Sequence, residues 1–74
     1  MESEHTKESI TGKDFQAVFG RLVQVCGSKR AAAREVGIAA QSLLGWEYRK
    51  RIPGDQVGNV RAIIKRKADE LGAV

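Results

Sequence analysis

The chain has 74 residues, 13 Lys and Arg against 9 Asp and Glu, a formal charge of +4, and one cysteine. That length sets one domain as the ceiling and leaves little core to bury. A lone Cys26 excludes an intrachain disulfide, and one His in a polar segment excludes a cysteine–histidine zinc site, so stability must come from helix packing or from a second copy.

Residues 1–10 (MESEHTKESI) lack periodicity and are almost free of apolar side chains, which predicts a disordered tail. Glu2, Glu4 and Glu8 outweigh Lys7 there, so the body carries more positive charge than the whole chain. A compact basic body attracts polyanions such as nucleic acid, although a positive surface also serves solubility alone. The acidic start does not resemble a secretory signal, and no apolar run approaches the roughly 20 residues that span a bilayer. The expectation is a cytoplasmic protein with no membrane partner, and an unpaired cysteine suits a reducing compartment.

From Thr11 the pattern becomes helical. Thr11 is placed to cap a first helix over 12–26, with Asp14 reaching back as a short capping box. Phe15, Val18, Phe19, Leu22 and Val23 form its apolar stripe, Gly27 closes it, and Ser28 caps the next helix. That second helix spans 29–36, with Ala32, Ala33 and Val36 facing inward, and Gly37 ends it. Ile38 and Ala39 carry a turn into a third helix over 40–48. Arg49, Lys50 and Arg51 make a basic exit, and Pro53 suits the first turn of a fourth helix over 54–71. Val57, Val60, Ile63, Ile64, Ala68 and Leu71 trace its stripe, and Lys65, Arg66 and Lys67 read as a solvated helix end. No segment alternates like a strand. The fold class expected is all-α, with the tail over 1–10 and one domain over 11–74.

The most specific stretch is Lys29 to Tyr48, KRAAAREVGIAAQSLLGWEY. Two short helices crossing steeply need a tight turn, which Gly37 supplies, and a small residue beneath it, which is Ala33. Val36, Ile38, Leu43 and Trp46 complete a shared core. The segment resembles the helix-turn-helix of phage Cro-like and CII-like regulators, carried by Ala33, Gly37, Ile38, Leu43 and Trp46 and by the basic stretch before Ile52-Pro53. The resemblance covers about residues 28–57. It implies a four-helix domain of the lambda-repressor-like type, a double-stranded DNA partner, transcription regulation (a repressor of phage or mobile-element kind), and a homodimer on DNA. The alternative is a helix-turn-helix module that acts through a protein partner, as an antitoxin or anti-repressor. Nothing in the chain forms a nucleophile–base pair, a carboxylate dyad or a phosphate-cradling loop, so no enzyme, cofactor, metal or small-molecule substrate is expected.

At about 100° per residue, Leu43 and Trp46 define the inner side of the third helix and Gln41, Gly45 and Tyr48 the outer, with Leu44 at its edge. Ala40, Gln41, Leu44, Gly45 and Tyr48 are thus the candidates that face bases. Gln41 suits adenine, Leu44 a thymine methyl, and Gly45 leaves room for a sugar or base edge. Gln41 is otherwise an ordinary solvated residue, and Tyr48 serves packing equally well. Lys29, Arg30, Ser42, Arg49 and Arg51 are the candidates for phosphate contacts. The family more often has polar residues on this outer face and glutamine one place earlier, where this chain has Ala40, which leaves room for a protein partner.

Overall fold

The computed structural model describes residues 9–72. The part of the expected tail over residues 1–8 lies outside them. Four helices carry the described chain: α1 (Gly12–Cys26), α2 (Lys29–Val36), α3 (Ala40–Arg49) and α4 (Gly54–Gly72). The all-α class is thereby established, with helix bounds within a residue of those expected from periodicity.

Two departures occur at the chain's start. A pair of two-residue strands, β1 (Ile10–Thr11) and β2 (Arg51–Ile52), forms an antiparallel bridge with Ile10 opposite Ile52. Ile10, which composition assigns to the tail, is therefore core: it is 6% exposed, and Ile52 is wholly buried. Two residues are too few for alternation to register, and an isolated isoleucine in a polar segment carries no period. Thr11 does occupy the N-cap of α1 in extended geometry, but its hydroxyl makes no capping bond. Its backbone pairs with Arg51 in the bridge.

The core is one cluster. Phe15, Phe19 and Leu22 of α1 pack with Ala32, Ala33 and Val36 of α2, Leu43 and Trp46 of α3, Ile10 and Ile52 of the bridge, and Val60 and Ile63 of α4. The rings of Phe15 and Phe19 stack, with centroids 5.0 Å apart. Val18 and Val23 flank this cluster half-buried, while Val25, outside the expected stripe, is buried. On α4, Val57 and Ile64 pack against the core's edge, but Leu71 stands 63% exposed beyond it.

Caps and ion pairs fix how the helices meet. Gly27 N–H donates to Val23 O (2.8 Å), and the Ser28 hydroxyl accepts from Ala31 N–H (3.0 Å), so α1 ends and α2 starts within two residues. Gly37 adopts φ +91° and, with Ile38, donates to the carbonyl of Ala33. The Asn59 side-chain amide of α4 donates to Val36 O (3.1 Å), satisfying a carbonyl that the end of α2 leaves open. Arg66 and Lys67 reach the two carboxylate oxygens of Glu35 at 2.8 and 3.2 Å. These two cations tie α4 to α2, where the local charge run reads only as a solvated end.

Candidate nucleic-acid interface

A helix can present residues to a DNA groove only where its other side is held rigidly by the rest of the fold. The turn at Gly37 and the buried Ala33 set α2 against α3, and Leu43 and Trp46 anchor the inner side of α3 in the core. A second fastening joins the two helices at their far ends. Lys29 Nζ at the start of α2 donates to both carboxylate oxygens of Glu47, at 2.8 and 2.9 Å. Both side chains are substantially solvated, so this pair orients more than it stabilises.

The outer side of α3 carries Ala40, Gln41, Leu44 and Tyr48, all exposed, as the helical wheel requires. Tyr48 is 88% exposed, which removes the packing role for its ring. Gly45 is half-buried because the guanidinium of Arg49, one turn on, folds across it; a methyl group built on Gly45 would stand 3.3 Å from Arg49 Nη2. The room left by Gly45 is thus occupied by a cation rather than left open for a sugar. Ala40, Leu44 and Tyr48 recur at i, i+4 and i+8, so they make one exposed, largely apolar strip beside the Gln41–Arg49 side.

The expected phosphate-binding group divides. Arg30, Ser42, Arg49 and Arg51 are exposed at the margins of α3. Lys29 is engaged by Glu47, which offsets its charge. Sequence reasoning missed Glu47, because its partner lies 18 residues away and no helical period links them. Lys50, read from sequence only as part of the basic exit, also caps α3 in left-handed geometry (φ 55°, ψ 47°) with its N–H toward the Glu47 and Trp46 carbonyls. That turn sends Arg51 into β2 and keeps three consecutive cations at the end of α3. No side chain caps the start of α3, where Ala39 is the N-cap and its carbonyl accepts from Ser42 N–H (3.0 Å).

Among the described residues, no group of three or more His, Cys, Asp and Glu side chains is close enough to hold a metal ion, and no helix is long and apolar enough to cross a membrane. Burial pushes the Cys26 thiol above its ordinary pKa; Glu35 adds to this, and Lys67 and Arg66 oppose it. Comparison with family models, with curated proteins and with solved structures finds no match.

Proposed function

We propose that α2, the Gly37 turn and α3 are a helix-turn-helix, and that the chain binds duplex DNA as a transcriptional regulator of the Cro-like kind, with α3 in the major groove. The observation that carries this reading is the make-up of the exposed side of α3. A strip of uncharged side chains (Ala40, Gln41, Leu44, Tyr48) lies between cations that pair with no carboxylate among the described residues: Arg30 on one side, Arg49, Lys50 and Arg51 on the other. Uncharged reading residues between phosphate-seeking cations match the division of labour at DNA interfaces, where phosphates position and base edges specify. Gln41 is the polar base reader, and Ser42, Arg30, Arg49 and Arg51 hold the backbone. The role is binding in the cytoplasm, without catalysis or cofactor.

One helix of this length reads too few base pairs to select a genomic site, so two copies on symmetric half-sites complete the reading. The apolar stripe of α4 is largely used in the core, through Val60 and Ile63. Leu71 remains as a large exposed apolar group on α4, and the pairing proposed is that of two copies on DNA. A second reading, a module that docks a protein partner, draws on one observation: Leu44 is 48% exposed beside Ala40 and Tyr48.

Salt dependence separates the two. Fluorescence anisotropy with labelled duplex, titrated from 50 to 200 mM salt, should show a log–log slope of about −2.7 to −3.6 per copy for three to four phosphate contacts, a loss of roughly 40- to 150-fold. Duplex binding that is flat with salt, or absent at 50 mM, would refute the DNA reading.

A further inference from the structure

A recess opens between the start of α2 and the outer side of α3, lined by Lys29, Arg30, Ala40 and Leu44. Ala40 and Leu44 are one turn apart and supply its apolar floor. Lys29 lends only its methylene stem, because its ammonium is held on Glu47 by two hydrogen bonds. The polar candidates lie elsewhere on the helix: Gln41 is exposed beside this strip, and the Arg49 guanidinium covers Gly45. The outer surface of α3 is therefore split into a polar half and an apolar notch of a few side chains.

On the major-groove edge of a base pair, the one apolar group is the C5 methyl of thymine. Methylated cytosine carries the same group on the same ring carbon. We propose that the Lys29–Arg30–Ala40–Leu44 recess receives a pyrimidine 5-methyl group, so that the chain distinguishes thymine from uracil, and 5-methylcytosine from cytosine, in duplex DNA. The proposal rests on α3 entering the major groove and names what it reads there. Charge selects the occupant: the notch is bordered by Arg30 of α2, with Arg49, Lys50 and Arg51 at the end of α3, and a polyanion satisfies these where an apolar protein knob does not. The recess, with a volume of about 390 Å³, has room for a pyrimidine 5-methyl group together with the base edge that carries it. Binding becomes responsive to base methylation, and DNA modification becomes a regulatory input at the same site.

The test uses the full-length chain and duplexes enriched by it from a random pool. Binding is measured by anisotropy at fixed salt on the enriched site, with each thymine replaced in turn by deoxyuridine. One thymine per half-site should show about fourfold weaker binding on losing its methyl, the effect expected from burying one methyl group. At that step, cytosine and 5-methylcytosine should differ by a similar factor, with the methylated duplex bound more tightly. Leu44→Ala, on an exposed side chain, should bring both ratios close to one while salt-dependent binding persists. Leu44→Met, which keeps an apolar chain of similar reach, should retain them. Equal affinity for thymine and uracil at every step, with steep salt dependence intact, overturns the methyl reading and leaves the DNA reading standing. Ratios unchanged in Leu44→Ala overturn the assignment to this recess. A pool that yields no bound duplex at 50 mM salt refutes the DNA reading itself, and the surface then belongs to a protein partner.

Discussion

Replacing Gly37 isolates the turn between α2 and α3 from every contact around it. The residue sits at φ +91° and ψ 28°, and a Cβ built on it meets no atom within 4 Å. The cost of an L side chain there is backbone strain alone. An L-residue in the left-handed region loses about 1–2 kcal/mol, and φ +91° lies beyond the narrow window near +50 to +70° that such residues tolerate. Gly37→Ala should therefore cost ~2 kcal/mol, and Gly37→Val up to ~3 kcal/mol because branching stiffens it further. In a chain of this size, ~2 kcal/mol lowers the thermal midpoint by about 8–16 °C. The mirror substitution supplies the control. Gly37→D-Ala, installed by chemical synthesis, favours positive φ and restricts the unfolded chain, so it should stabilise by about 0.4–1 kcal/mol. Circular dichroism melts of the three proteins decide the matter. If the L- and D-alanine variants melt together, strain at Gly37 is not what the turn depends on, and the reasoning fails. Below the transition, each variant should bind DNA as the parent does.

Three other perturbations probe separate parts of the molecule. Ile10→Ala should cost ~2–4 kcal/mol in urea denaturation, as for a buried isoleucine; a tail residue would show no change. Gln41→Ala should lower affinity for the enriched duplex by ~1–3 kcal/mol and relax one base preference, whereas Arg49→Ala should weaken enriched and scrambled duplexes alike and flatten the salt slope by about 1. Cys26 tests burial through pH. Its thiol pKa is raised in the folded chain, so the folded state holds the proton more tightly than the unfolded one. Stability present at neutral pH is then lost as pH rises above 9.0, and Cys26→Ser should remove that part of the alkaline decline in the thermal midpoint.

The helices were legible because each satisfies a period and a stop signal within its own span. Phe15, Phe19 and Leu22 mark one face of α1, while Gly27 and Ser28 separate it from α2 and Gly37 separates α2 from α3. Leu43 and Trp46 fix the inner side of α3, and with it which residues lie outside. What escaped was non-local. Ile10 gains its place from Ile52, Lys29 from Glu47, and Arg66 and Lys67 from Glu35, pairings that no window of sequence contains. Arg49 over Gly45 is the exception: an arginine one turn after a glycine has a vacant helix surface to lie on, and that spacing is local.

The Ile10–Ile52 bridge also bears on how the domain assembles. The pairs α1–α2 and α2–α3 are neighbours in sequence and can dock as soon as their connecting turn forms, whereas α1 and α4, which share the most extensive helix contact, are not. The bridge likewise joins the first described strand to the segment after α3, so its loop-closure entropy is offset only once α1, α2 and α3 have drawn the ends together. It should form late, and Ile10 should show a low φ-value, with its truncation speeding unfolding more than it slows folding. On a growing chain β1 would wait for β2, which follows directly after α3, and α1 would wait longer still for α4.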